Sequence, residues 1–413
     1  MPEQSPIHRC DGMMKRHEKN LALFGGRPVR ETMLPYGRQS IQKEDIDAVS
    51  DVLSSDWLTT GPKVTEFERI FAKTVQAKEA VAVCNGTAAL HTAMFALGIK
   101  PGDEVIVPAM TFAASANCVV YLGGKPVFCD VDPETLLIDA EKIQEKISPR
   151  TKAIIAVDYA GQPCDYDRIS EIAEKHHLPI VDDACHALGG TYKNRPVGSL
   201  GLLNTFSFHP VKTITTGEGG MITTDDATLA GRMRLFRNHG ITSDHQQREE
   251  QGSWFYEMVD LGFNYRLTDI QCALGMSQVK RLPGWISRRQ EIARQYNVAF
   301  TRIPGIKPLH VRPEVSHAYH LYVIRLDPSL LKEHDRAFIF KALRAEGLGI
   351  NVHYIPVHLH PFYRTHFGTR PGLCPVAESA YENIISLPMF PRMTDNDVTD
   401  VITAVDKVTR SCL

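Results

Sequence analysis

AVAVCNGTAALHTAMFALG, Ala80 to Gly98, is the stretch from which the fold is read. A run of small and β-branched residues makes a strand, Asn85-Gly86-Thr87 makes a polar turn, and an apolar helix follows. DEVIVPAMTFAASANCVVYLGG, Asp103 to Gly124, repeats that succession. Further out, PVFCDVD (126–132), KAIIAVDYAG (152–161) and LPIVDDACHA (178–187) are three more apolar runs, each closing on acids or glycine. Continuous apolar strands alternating with helices predict an α/β fold, a mostly parallel sheet sandwiched by helices. Ligands of such sheets bind beyond the carboxyl ends of the strands. The polar residues at the ends of these runs fall where that rule places a site.

The chain has 413 residues, enough for one large and one smaller domain. Its 46 basic and 48 acidic residues leave a net charge of −2, which argues against a nucleic-acid or membrane-surface partner. No window reaches the ~18 apolar residues of a membrane span. Nine cysteines are scattered with no CxxC spacing, mostly inside apolar runs, and predict reduced thiols in a cytoplasmic protein. Residues 1–33 read as an amino-terminal extension, with Met1, Met13 and Met14 all possible starts. A large domain is expected over 34–283. The pattern changes near Pro283 and Gly284, and 284–413 reads as a small carboxyl-terminal α+β domain. Helices are expected over 44–53, 64–75, 268–281, 285–303, 336–346 and 394–408, the third capped by Thr268 and Asp269.

FSFHPVKTITTGEGG, Phe206 to Gly220, carries the chemistry. Its one lysine, Lys212, has no acid in the six residues before it or the five after. A strand-like run (204–208) precedes it and glycine-rich backbone follows. A partly desolvated amine in such a setting is a candidate to form a Schiff base with a carbonyl. Pyridoxal phosphate is the common cofactor that supplies one, and it needs donors for its phosphate, a carboxylate for its pyridine nitrogen and a flat surface for its ring. Asn85-Gly86-Thr87-Ala88, between strand and helix, offers the donors, though an ordinary helix cap fits the same residues. Asp183 or Asp182 ends a strand and offers the carboxylate; alternation lets only one of them face the site. His186, three residues on, is a candidate to bond the cofactor's phenolic oxygen, with a structural role as the alternative. Phe112 offers the ring surface or packs in the core. In NVHYIPVHLHP, His353, His358 and His360 form no HExxH pattern and have no acidic neighbour, so no metal is expected there. That segment, with Tyr354, Tyr36, Arg38 and Trp57, is a candidate for contact with substrate.

The order NGTAAL, MTFAAS, VDDACHALG, FSFHPVKTITTGEGG and GFNYRLTDIQCALG resembles the DegT-type sugar-nucleotide aminotransferases over about 34–391. The resemblance implies the pyridoxal-phosphate-dependent transferase fold type I, like that of aspartate aminotransferase. It implies Lys212 as the Schiff-base lysine, Asp183 rather than Asp182 at the pyridine nitrogen, and His186 near the phenolic oxygen. Thr87, Ala88 and Ser207 are implied at the phosphate, and Phe112 against the ring. Asn264 is implied to reach the phosphate of a neighbouring subunit, and hence a homodimer with shared active sites. LPYGRQSI, SSDWLTTGP, YAGQPCDY, RNHGIT, HAYHLYVIRL and NVHYIPVHLHPFYR resemble more narrowly the branch serving pseudaminic acid biosynthesis. That branch aminates the 4-keto group of a UDP-2-acetamido-2,6-dideoxy-hexos-4-ulose with L-glutamate as donor. Another 4-keto or 3-keto nucleotide sugar is the enzymatic alternative, and a non-catalytic cofactor-binding regulator is the other. A dehydratase branch carries histidine where this chain has Lys212.

Overall fold

The computed structural model describes residues 20–243, 248, 252–330 and 334–413. The alternative starts, Cys10 and most of the amino-terminal extension lie outside the described residues. The main sheet contains β1 (Glu79–Val83), β2 (Glu104–Pro108), β3 (Lys125–Cys129), β4 (Thr151–Val157) and β5 (Ile180–Asp183). After the short β6 (Thr191–Tyr192) and β7 (Arg195–Pro196) come its last members, β8 (Leu203–Ser207) and β9 (Gly220–Thr224). Their spatial order is β1-β9-β8-β5-β4-β2-β3. The pairings from β8 across to β3 are parallel. Every residue of β2 and β9 is buried, which requires cover on both faces.

Strand β9 runs against both of its neighbours, β1 and β8. The chain returns into the sheet directly through the loop 208–219 rather than by a crossover helix, and a direct return gives an antiparallel pair. The glycines after Lys212 have a structural reason here. Gly217 takes a left-handed φ of +80°, and a Cβ on Gly220 would lie 2.5 Å from the Asn85 carbonyl oxygen. At Gly220 the close neighbour is the Asn85 turn itself.

Helix ends follow local chemistry with one exchange of partners. The helix Asp269–Val279 starts on a capping box in which Thr268 and Gln271 serve each other's backbone. Asp269, expected to share that cap, instead accepts from the Gly61 and Lys63 amides at 2.8 and 2.9 Å. It thereby caps the helix Pro62–Val75 from more than two hundred residues away, so its role was invisible to a local reading. Phe206 and Phe208, on either side of Ser207, are sealed against Phe71 with ring centroids 5.0 and 5.5 Å apart. Truncating Phe206 to alanine is expected to cost about 3–5 kcal/mol, read as a lower denaturant midpoint at unchanged slope.

Two apolar cores emerge. The first surrounds the main sheet and includes Val81, Ile106, Ile155 and Phe206. The second gathers Tyr296, Phe300, Leu343 and Val401 with the antiparallel strands β10 (Ile306–Pro308), β12 (Tyr322–Leu326) and β13 (Ile384–Leu387). Strand β11 (Val315–Ser316) instead pairs with β6. Leu21 and Leu34 belong to the second core. The helix Leu282–Phe300 joins the two, with Trp285 and Ile286 in the first and Ile292 onward in the second.

Candidate active site

A cavity of about 550 Å³ gathers Thr87, Phe112, Asp183, His186, Ser207 and Lys212. They come from four strand ends: Thr87 after β1, Phe112 after β2, Asp183 and His186 at β5, and Ser207 and Lys212 at β8. Asn85 caps the helix Gly86–Ala96, its Oδ1 accepting from the Ala88 amide at 2.8 Å. Ala88 therefore sits one position deeper, its amide committed and its side chain buried. The cap leaves the first turn's remaining amides and the Thr87 hydroxyl at the cavity, with the positive end of the helix behind them. A Cβ on Gly86 would lie 2.8 Å from that of Ser207, so only glycine brings this turn so close to the end of β8.

Alternation along β5 sends Asp183 into the cavity and keeps Asp182 out of it. Ser115 donates to Asp183 Oδ2 at 2.6 Å and the Cys185 amide approaches Oδ1 at 3.3 Å. Thr111 in turn contacts Ser115 at 2.7 Å. Nothing in the sequence around Ser115 marks it as the residue that orients this carboxylate. Phe112 is 59% exposed, with its ring 5.9 Å from that of Tyr354. Its position at the cavity excludes the core-packing alternative.

Lys212 is half-buried as a residue, while its ammonium is enclosed. Burial lowers its pKa from the ordinary lysine value, against the opposing pull of Cys185 and Asp183. Three histidines stand around it. His186 meets the Tyr354 hydroxyl through Nε2 at 3.0 Å and leaves Nδ1 buried without a partner. The His320 ring lies 4.5 Å from that of His186, and its own Nδ1 is likewise unpartnered. His353 contacts Ser386 through Nδ1 at 2.8 Å. Burial, then the Lys212 charge, pushes His186 well below its ordinary value and His353 down to about 4; for His320 the charges of His186, Arg289 and His353 add to these. All three are neutral at pH 7.

The sign of the resulting pH dependence is fixed. Below the ordinary histidine value of 6.5 the unfolded chain takes up protons that folded His353 refuses until about pH 4. Stability is therefore expected to fall as pH drops from 6.5 toward 4, by at most ~1.4 kcal/mol per pH unit for each such histidine. Thermal midpoints of the cofactor-free protein across that window check it, and His353→Gln should flatten the slope.

The histidine run of the last third disperses. His353 lines the cavity, His358 pairs with Glu378 at 2.8 Å, and His360 precedes the helix Pro361–Phe367. Among the described residues no cluster suits a metal ion. Tyr36 and Tyr354 line the cavity, whereas Arg38 and Trp57 do not. Asn264 is exposed and outside this chain's own cavity, bridged to Asn238 beside an arm of exposed apolar residues. His320 was not singled out from sequence, because only the tertiary fold brings it to His186.

The fold and the cavity bring an enclosed lysine, a carboxylate and a helix end together at the ends of a mostly parallel sheet. A model of the DegT/DnrJ/EryC1/StrS aminotransferase family matches residues 39–406, and the chain belongs to that family. The spore coat polysaccharide biosynthesis protein SpsC of Bacillus subtilis is 44% identical over 383 residues, covering 92% of this chain and 98% of SpsC. Spr1654 from Streptococcus pneumoniae superimposes with a TM-score of 0.87 in its PMP form, at 35% identity, covering 92% of this chain and 100% of that one. Its PLP form gives 0.86 at 34% identity, with the same coverage. Helicobacter pylori PseC, an aminotransferase involved in the biosynthesis of pseudoaminic acid, gives 0.86 at 33% identity with 92% and 100% covered.

Proposed function

We propose that this chain is a pyridoxal-phosphate-dependent sugar aminotransferase. In this reading it transfers the amino group of L-glutamate to the 4-keto group of a UDP-2-acetamido-2,6-dideoxy-hexos-4-ulose. The products are the 4-amino sugar nucleotide and 2-oxoglutarate. The observation that carries the reading is Lys212, enclosed and with its ammonium destabilised, in one cavity with Asp183 and the Asn85 turn. The residues present fit the cofactor: an anion-ready helix end, an oriented carboxylate, an exposed aromatic face and a buried histidine nitrogen without a partner.

When bound, pyridoxal phosphate supplies the carbonyl and an electron-withdrawing ring. Thr87, the free turn amides before Ala88 and the Ser207 hydroxyl would hold the phosphate, while the Ala88 amide, taken by Asn85, fixes the turn. Asp183, aimed by Ser115, would keep the pyridine nitrogen protonated. Phe112 would offer its face to the ring, and His186 would serve the phenolic oxygen, its imidazole fixed by Tyr354. Lys212, as a free amine, would carry the proton from the donor's α-carbon and deliver it on the other side of the transfer. Its lowered basicity suits that duty.

The pathway assignment draws on the stretches that resemble UDP-4-amino-4,6-dideoxy-N-acetyl-beta-L-altrosamine transaminase and on the likeness to PseC. A panel of UDP-linked 4-keto and 3-keto sugars assayed with L-glutamate tests it. The expected result is turnover of the 2-acetamido-4-keto-6-deoxy substrate well above the rest. Preference for a 3-keto sugar would replace the pathway, and no turnover with any would favour a non-catalytic cofactor-binding regulator.

A homodimer with shared sites belongs to the same proposal, Asn264 of each chain reaching the partner's phosphate site. Trp254, Phe255, Met258, Val259 and Leu261 are all exposed in one segment just before it, Trp254 at 84%. Such an apolar run calls for cover. Leu261→Lys is expected to shift the protein toward monomer in sedimentation and to lose cofactor with it; an unchanged dimer would contradict this interface. The division into an extension (1–33), a large unit (34–283) and a small unit (284–413) belongs to the same proposal, although Leu21 and Leu34 pack in the second core and Val357 and Tyr363 in the first. A cytoplasmic location goes with the eight free cysteines of the described chain, and no described helix is long and apolar enough to cross a membrane.

A further inference from the structure

Behind the strand that carries Asp183, a second pair of carboxyl groups is sealed from water. Asp158 follows β4 and Asp182 lies in β5, both fully buried. Their strands are neighbours, with Ala156 opposite Asp182 in register and the Asp158 amide donating to the Asp183 carbonyl at 3.2 Å. Oδ1 of Asp158 is well served: it accepts from the Cys164 amide at 2.8 Å and the Tyr166 hydroxyl at 3.0 Å. The remaining Oδ2 of Asp158 and both carboxyl oxygens of Asp182 are buried without a hydrogen-bond partner. Three unserved oxygens in a dry interior do not suit two carboxylates, which need donors or a cation.

Among the described residues no cation ranks with the main influences on either acid. The groups around the pair are Cys164, Tyr166 on the helix Tyr166–Lys175, and Asp183 on β5, with Arg312 reaching only as far as Cys164. Arg312 is itself engaged by Asp165 at 3.1 Å. Burial is the main influence on both acids and favours their protonated forms; Asp158 then raises Asp182, against the opposing pull of Tyr166, and Asp183 raises both. The Cys164 amide and the Tyr166 hydroxyl favour the charged form of Asp158.

We infer that Asp158 and Asp182 hold one proton between them, carried by Asp182 and donated to Asp158, and that this singly charged pair positions Asp183. The proton lets the ends of β4 and β5 lie side by side without repulsion. The Asp158 amide then pins the Asp183 backbone while the Asp183 side chain faces the cavity. The positioning half rests on the reading of Asp183 given above; the shared proton does not.

Infrared difference spectroscopy of the full chain tests the proton directly, with and without cofactor. Wild-type protein at neutral pH is expected to show a carboxylic-acid C=O band that moves in heavy water and is missing in Asp182→Asn. An asparagine keeps a neutral donor toward Asp158, so Asp182→Asn should hold kcat and the cofactor's visible band within about twofold of wild type. Asp182→Ala removes the donor and is expected to lower kcat roughly tenfold at unchanged KM while displacing the pH titration of the visible band. Absence of the band at neutral pH, its persistence in Asp182→Asn, or equal damage from both substitutions would overturn the inference. If Asp182→Ala does not fold, the wild-type and Asp182→Asn spectra still decide. A band present in a chain that never binds pyridoxal phosphate would uphold the shared proton and remove only the reading of Asp183.

Discussion

Lys212→Arg is expected to fold, to keep its thermal midpoint close to that of the wild type, and to have no measurable transamination. Arginine keeps the positive charge and much of the stem, but it stays protonated and does not act as the nucleophile or proton carrier. Lys212→Ala removes the amine altogether. Both should lower turnover by at least about 10⁴-fold, because nucleophile and proton carrier are lost in one residue. The fold should survive because no ion pair among the described residues ties Lys212 to the core, and only its backbone amide, donating to His209, enters the local turn. Circular dichroism, a single-turnover assay and the visible spectrum together separate loss of chemistry from loss of structure. Turnover retained in either variant would remove Lys212 from the chemistry.

Asp183→Asn is the next largest expected effect. The substitution keeps the side-chain shape between Ser115 and Cys185, so packing is preserved and only the charge is lost. Without that charge the pyridine nitrogen is no longer held protonated, and the ring withdraws electrons less well when a proton leaves the donor's α-carbon. A decrease in kcat on the order of 10²–10³-fold is expected, with a much smaller change in KM. The contrast with Asp182 is instructive. One residue earlier on the same strand, Asp182→Asn is expected to be nearly silent, since asparagine mimics a protonated acid. Similar losses from the two substitutions would contradict the assignment of faces along β5.

The alternation rule made the contest between these two acids legible but could not decide it, because period two says only that they differ in direction. The sheet's neighbours decide. Asp183 meets Ser115 and the cavity, whereas Asp182 meets the buried Asp158. The strand, turn and helix succession from Ala80 was readable because burial on both faces leaves unbroken apolar runs. The reversal of β9 was not, because apolar content is the same for either direction of a strand. Phe112 was left between core and cavity, since an aromatic after a strand fits both until its neighbours are known. Contacts across long separations left no local mark: Ser115 on Asp183, Asp269 on the Gly61 helix end, and His320 beside His186.

The central claim is that Lys212 is the amine that engages the cofactor's carbonyl. Borohydride reduction of the cofactor-loaded wild-type protein, followed by peptide mapping, tests it most directly. The account predicts a visible band that bleaches on reduction and a single pyridoxyl group fixed to the peptide containing Lys212. A band that does not bleach, or a pyridoxyl group fixed to any other lysine, would contradict it.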